Sequence, residues 1–307
     1  MSWAYLVIGV LSVVGGFAYL NYHHEVKFVR PKARVAVRYA KFGLPLLPGA
    51  LASAISMGAD KYVVGCYLGL KQVGIYSVCF TVSALTFFLT GPINDVLFPE
   101  LSALHDSGNS ESFRRRFSGI QKFVFGASVG AAAILAMFPQ EVLRLFASPE
   151  FISGSTTLAI LGVQGVFMAI VMLYAVILNV QLRVWSSTIF WLASGLLIVL
   201  FDVILVPGIG IEGAAFSQLI ATSAGAILLI MAHWDLFSVT FNSKWLLHNG
   251  LAFSAVALLA IFCQGGSLDL LHSALRIITG SMVFVLCLFM TGFIRFEDLR
   301  NMVRAFA

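Results

Sequence analysis

Apolar stretches long enough to cross a bilayer recur from one end of this chain to the other, separated by short polar connections. A helix needs about 20 mostly apolar residues to span the hydrocarbon core. Backbone N–H and C=O groups find no partner in lipid, so only helices and closed barrels can cross it. The ten-residue alternating segments of a barrel are absent from this sequence. Charged residues make up 11% of 307, against about 25% in soluble domains, and the mean hydropathy is +0.95. The sequence therefore predicts an all-α polytopic membrane protein.

About nine transmembrane helices are expected. They are Trp3–Asn21, Phe42–Leu68, Val73–Pro99, Gly119–Phe138, Ile152–Val180, Val184–Val206, Ile211–His233, His248–Cys263 and Leu271–Phe293. Positive charge orients them, because Lys and Arg collect on cytoplasmic loops. With the 22–41 segment inside, that side gathers Lys27, Arg30, Lys32, Arg34, Arg38, Lys41, Arg114, Arg115, Arg116, Lys122, Arg183, Lys244, Arg295, Arg300 and Arg304. Lys61, Lys71, Arg144 and Arg276 fall on the other side. The expected arrangement is N-terminus outside and C-terminus cytoplasmic. An outside N-terminus suits a chain that forms the later part of a longer one.

The net charge of +5 is read as this orientation signal, not as a nucleic-acid footprint. The run Arg114–Arg116 is expected to act as an electrostatic stop against anionic lipids at the cytoplasmic face. The preceding HDSGNSES reads as a polar turn leading into a surface helix. Cys66, Cys79, Cys263 and Cys287 show no metal or redox spacing. The first apolar run lacks a basic region before it, so no cleaved signal peptide is expected. His23, His24 and Glu25 lie in a polar linker and are not taken as a metal site.

Four stretches carry a family resemblance. They are YAKFGLPLLPGALASAISMGADKYVVGCYLGLKQVGIYSVCFTVSAL (39–85), INDVLFPELSALHDS (93–107), FPQEVLRLFASPEF (138–151) and LVPGIGIEGAAFSQLIA (205–221). In order and spacing they resemble the Wzx-type lipid-linked oligosaccharide flippases of the multidrug/oligosaccharidyl-lipid/polysaccharide (MOP) transporter superfamily, whose members have two six-helix lobes, often followed by two extra helices. The resemblance implies a MATE-like second lobe plus two extra helices. Residues 1–41 would hold the last helix of a missing first lobe and a basic cytoplasmic linker. Residues 42–233 would form the six-helix second lobe, and 234–307 two additional helices and a cytoplasmic tail.

Three carboxylates fall inside the expected spans: Asp60, Asp95 and Asp202. Intramembrane acids usually face a bundle interior or an aqueous cavity. Asp60 lies about eight residues, or roughly 12 Å, inside the outer end of its span. Its neighbour Lys61 points about 100° away on a helix and can snorkel outward. Asp202 sits four residues before the outer end of its own span and reads equally well as an interface residue. Pro45, Pro48 and Pro92 are candidate hinges. The resemblance implies a sodium or proton site from Asp60 and Asp202, with Ser217 and Gln218 on the next helix. The family's further carboxamide or carboxylate one turn before Asp202 is Ile198 here, a departure from that pattern. Lys61, Asn94 and Asp95 are substrate-cavity candidates, although Asp95 beside Gly91-Pro92 reads first as a polar break near a cytoplasmic helix end. Gln72, Gln164, Asn179 and Gln181 are suited to hydrogen bonds between helices. Tyr62, Tyr67, Tyr76 and Trp185 read as interface anchors.

The function expected from the resemblance is flipping of a polyprenyl-diphosphate-linked oligosaccharide, on undecaprenol in a bacterial inner membrane, for O-antigen, capsule or exopolysaccharide export. The two extra helices would flank its lipid tail. A separate N-terminal half or polysaccharide assembly proteins are the expected partners. The alternatives are half of a MATE-like multidrug/cation antiporter, or a truncated membrane protein that transports nothing. No cofactor beyond coupling Na⁺ or H⁺ is expected, and no catalytic residues: the longest outer loop, 139–151, carries only Glu141 and Glu150 as acids and no histidine.

Overall fold

The computed structural model of the chain describes residues 2–24, a few positions between 33 and 44, and residues 46–234, 242–262 and 270–293. Pro45, Glu25, Cys263, Lys27, Arg30, Lys32, Arg38, Lys41, Arg295, Arg300 and Arg304, named above, lie outside the described residues. Two compact units form, Met1–Gly43 and Leu44–Ala307. The first contains α1 (Ser2–His24), an apolar helix of 23 residues.

In the second unit the expected spans appear in order, several of them broken. The run over 42–68 becomes α2 (Leu46–Ser56) and α3 (Ala59–Leu68). The interruption falls at Met57–Gly58, not at the expected hinge. Pro48 sits within the first turn of α2, where its missing N–H leaves no helical bond unmade. Next come α4 (Leu70–Ser83) and α5 (Thr90–Asp106), joined through a 3₁₀ turn and bent by 44°. Pro92 lies in the first turn of α5, just past that bend, while α5 runs on to Asp106. Asp95 is therefore an exposed residue inside a helix, not a polar break at its end.

The helix α6 (Ser110–Met137) is continuous for 28 residues. The expected surface helix and the span that follows are one element. Asn109 caps it by accepting from the Ser112 N–H at 3.1 Å, satisfying one of the orphan donors at a helix start. Arg115 pairs with Glu111 and Arg116 with Glu100 of α5, both at 2.7 Å. Two of the three arginines of the stop run thus have acidic partners in the protein.

A short helix α7 (Pro139–Phe146) and a second 3₁₀ turn lead into α8 (Ser155–Val180). Then follow α9 (Val184–Ile209), α10 (Ile211–Ala232), α11 (Lys244–Phe262) and α12 (Leu270–Met290). Among the described residues six helices are long and apolar enough to cross a membrane, and the bent α4–α5 pair makes a seventh. The two expected spans that fall short are α1, whose apolar stretch Gly9–Tyr19 is brief, and the broken α2–α3 run.

The hub is α8, with 15 of its 26 residues buried. It packs against α4, α5, α6 and α10. On one flank α9 pairs with α10, α2 and α3; on the other, α11 and α12 pair with each other and lie on α6 and α7. Lipid tails are as apolar as leucine, so burial alone does not drive such packing, and close approach through small residues must. The α9–α10 hairpin illustrates this. Gly210 turns the chain with φ +71°, a conformation glycine adopts without penalty. A Cβ on Gly213 would stand 2.6 Å from the Leu205 carbonyl carbon, so only glycine lets the two helices close.

Candidate functional site

The hairpin turns set the depth of the polar side chains. Asp202 lies eight residues before Gly210 and Gln218 eight after it, so both sit about 12 Å below the turn at 1.5 Å per residue. Asp60 lies nine residues before Gly69, and Tyr76 seven after it. All four thus fall on one level near one end of the bundle, and all four are buried, at 0% exposure for Asp60, Asp202 and Tyr76 and 4% for Gln218.

Asp60 is held by three donors. Tyr76 donates its hydroxyl to Oδ2, Gln218 donates Nε2 to Oδ2 at 3.2 Å, and the Lys61 N–H donates to Oδ1 at 2.9 Å. The break at Gly58 makes this geometry. Because α3 restarts there, Asp60 occupies the first turn of a helix, where free N–H groups and the helix dipole favour negative charge. A discontinuous span with a half-helix start at membrane depth is the arrangement by which transporters hold charge there.

Asp202 is different. It lies close to Asp60 and Tyr76, yet among the described residues neither of its carboxylate oxygens accepts a hydrogen bond. The Ser217 hydroxyl lies beside it, but its proton goes to the Gly213 carbonyl at 2.9 Å. A buried carboxylate without a hydrogen bond is strongly unfavourable unless a cation or a proton joins it. The donor set fits a monovalent cation or a proton. Oxygen ligands suit sodium, and a carboxyl group in such a place can hold a proton instead. The departure at position 198 matters here, because Ile198 is buried at 3% and contributes no oxygen.

Beside Gln218 a cavity of about 20 Å³ is lined by Gln164, Ser194, Ile198 and Thr222, room for about one water. Gln164 donates to Thr222 at 3.1 Å, joining α8 to α10 as an inter-helix hydrogen bond. Of the cavity candidates, Lys61 is half-buried with its ammonium 5.1 Å over the Phe80 ring. It does not simply snorkel outward. Asn94 is half-buried and Asp95 exposed on α5, and no hydrogen bond or ion pair joins them to Lys61 among the described residues. Asp60, Asp202, Ser217 and Gln218 come together; Lys61 borders them, and Asn94 and Asp95 stand apart.

Tyr76 is the residue that sequence reasoning misplaced. It is no interface anchor but a buried partner of Asp60, while Tyr62, Tyr67 and Trp185 are exposed at 79%, 52% and 61%. Its signal was its distance from the Gly69 turn, nearly equal to that of Asp60.

A discontinuous bundle of apolar helices that buries acidic groups between them is the architecture of a multi-pass membrane protein. Comparison with known proteins agrees. A family profile described as polysaccharide biosynthesis protein matches residues 1–153. The "Probable flippase AglR" of Haloferax volcanii is 24% identical over 238 residues, covering 74% of this chain and 46% of that protein. The "Uncharacterized membrane protein MJ1068" of Methanocaldococcus jannaschii is 26% identical over 264 residues, 80% of this chain and 50% of that one. Among solved structures, "Lipid II flippase MurJ, inward closed conformation" shares the fold with a TM-score of 0.68 at 18% identity, over 93% of this chain and 61% of its own. Together these likenesses support a polysaccharide flippase of the MOP superfamily as the kind of protein this chain resembles. It spans about half the length of the curated relatives it matches.

Proposed function

We propose that this chain is the second half of a flippase that carries a lipid-linked oligosaccharide from the inner to the outer leaflet of a plasma membrane. The substrate proposed is an undecaprenyl-diphosphate-linked glycan for O-antigen, capsule or exopolysaccharide export. The likeness to AglR along three quarters of the chain supports the flipping. What carries the coupling is Asp202, buried without a hydrogen bond opposite the satisfied Asp60.

In this reading residues 42–233 form one lobe, residues 1–41 end another, and 234–307 add two helices. A sugar-bearing diphosphate needs a hydrated cavity between two lobes, opened to one side at a time. Lys61, Asn94 and Asp95 belong to the surface facing that cavity. A monovalent cation or proton taken up by Asp202 removes the cost of its bare charge. Release restores that cost, which biases the lobe between two arrangements. The break at Met57–Gly58 and the bend before Pro92 are where α3 and α5 pivot. The membrane orientation proposed places the N-terminus outside and the C-terminus in the cytoplasm.

The test is export from the gene in its own genome. Asp60→Asn and Asp202→Asn are expected to lower surface glycan while the chain still reaches the membrane at normal levels. Wild-type export by both variants would remove the coupling role. Deletion of the gene should accumulate lipid-linked glycan on the inner leaflet; normal surface glycan after deletion would overturn the flippase reading itself.

A further inference from the structure

Hydroxyls in these apolar helices commonly give their proton to a backbone carbonyl about one turn earlier, as Ser217, Ser223 and Thr279 do at 2.9, 3.1 and 2.8 Å. That is the ordinary resting place of a serine or threonine inside a helix. Ser194 of α9 does otherwise. It is buried, and its Oγ has no hydrogen bond among the described residues. The α9–α10 contact sets its direction. A Cβ on Gly225 would stand 2.8 Å from that Oγ, so the hydroxyl lies over the bare backbone of α10, one turn from Thr222.

The space it meets is the cavity of about 20 Å³ beside Gln218. Ser194, Thr222, Gln164 and Gln218 all line it, and each is only 4% exposed. Gln164 donates to Thr222 at 3.1 Å, and Gln218 donates to Asp60 at 3.2 Å. A hydroxyl that accepts still has its own proton to give, and an amide that donates still has its carbonyl oxygen. An unpaired hydroxyl at such a place is costly. A water removes that cost if it has roughly 10–15 Å³ of room and two to four polar partners, whereas purely apolar cavities stay dry. This cavity meets both conditions. Its depth connects it with the carboxylates. Asp202 and Gln218 lie about 12 Å below the Gly210 turn, Thr222 about 18 Å and Ser194 about 24 Å, at 1.5 Å per residue. Where Ile198 interrupts the series on α9, Thr222 continues it at the same level on α10.

We propose that this cavity holds one resident water, bound by Ser194, Thr222 and Gln164, and that this water is the next polar stop for an ion or proton held at Asp202, on the side away from the Gly210 turn. A water there bridges α8, α9 and α10 at the point where their side chains leave a gap. Through Gln218, which lines the cavity and donates to Asp60, it joins the network around the carboxylates. The water stands on the cavity alone, whereas its use by an ion rests on the coupling proposed above.

Radiolytic hydroxyl-radical footprinting of the full chain in detergent, read by mass spectrometry, tests this, because a bound water becomes a radical beside the side chains it touches. Met168 lines the cavity although it is only 7% exposed, and it should be oxidised. Ser194→Val with Thr222→Val should abolish that label, and Ser254→Ala, at an exposed hydroxyl of α11, should keep it. An unlabelled Met168 in the wild-type chain overturns the proposal, and this result needs no variant to fold. A label that survives the loss of both hydroxyls also overturns it, by showing that these groups do not hold the water. Sodium or acid should change the wild-type Met168 label, and Asp202→Asn should make the label indifferent to both. A wild-type label that neither sodium nor acid moves overturns the ion stop. Normal export by Asp202→Asn with Met168 still labelled would remove the coupling and keep the water, so the two failures are told apart.

Discussion

Two buried acidic sites lie in this bundle, and they are handled in opposite ways. Glu141 of α7 pairs with Arg276 of α12 at 2.8 Å, with side chains 10% and 16% exposed. Asp202 of α9 is fully buried and has no such partner among the described residues. A fixed arginine makes the first acid a brace: its counter-charge never leaves, and it ties the last helix pair to the lobe. In the function proposed above, the second acid is left for a counter-charge that comes and goes. An intramembrane acid is therefore read less by its depth than by whether the fold supplies its cation.

The sharpest way to break this comparison is to remove the brace's cation. Arg276→Ala should destabilise the chain by about 3 kcal/mol, because it leaves a buried carboxylate unpaired. Thermal unfolding in detergent should show the loss, while any sodium response of the protein stays as in wild type. A sodium response that vanished together with the brace would merge the two sites into one. Next in size comes Asp202→Asn, which keeps shape and drops charge. It should abolish protection of the fold by sodium, where protection follows RT ln(1 + [Na⁺]/Kd). Surface glycan should fall on the order of tenfold, within the usual range of coupling energies. Asn tolerates burial better than a bare carboxylate, so unfolding without sodium should occur no earlier than in wild type.

Tyr76→Phe sharpens the contrast between Asp60 and Asp202. It removes one of three donors on Asp60, and a hydrogen bond to a charged group contributes about 1.5–3 kcal/mol. Sodium affinity should change several-fold, with Asp60 now competing for the ion; an unchanged titration would detach Tyr76 from the site. The smallest effect is expected at His233, just past the end of α10. Burial, and then the nearby Arg183 charge, lower its pKa from the ordinary 6.5. Arg183 Nη1 and His233 Nδ1 are 3.3 Å apart, a contact made with the neutral ring as acceptor. Since the folded state holds the proton less well, its contribution is complete above pH 6.5 and is lost below it, as pH falls through the lower folded-state pKa. His233→Gln should flatten this part of the stability–pH curve and leave the rest alone.

Much of the fold was legible in the sequence because length and apolarity decide where a helix can cross lipid. The runs that became α6, α8, α9 and α10 are of this kind. The breaks were not legible in the same way. Pro48 advertised a hinge, yet the interruption came at Met57–Gly58, since a proline in the first turn of a helix disturbs nothing. Asp60 and Asp202 stood out as charges in apolar runs, and Ser217 and Gln218 followed from the resemblance. Tyr76 did not, because a tyrosine near a span end has a ready interfacial explanation. Glu141–Arg276 could not be paired at all, because 135 residues separate its members and only packing of α12 on α7 joins them.

The hairpin at Gly210 carries one last consequence. Asp202 and Gln218 share a level only because equal lengths of helix hang from the turn. One residue added between 203 and 209 would swing Asp202 through 100° and shift it by 1.5 Å, taking it off the level of Gln218 even if the hairpin still closed. The length of this short segment is therefore as much a part of the site as its chemistry. Among related chains, substitutions should be found throughout it, and insertions or deletions should not.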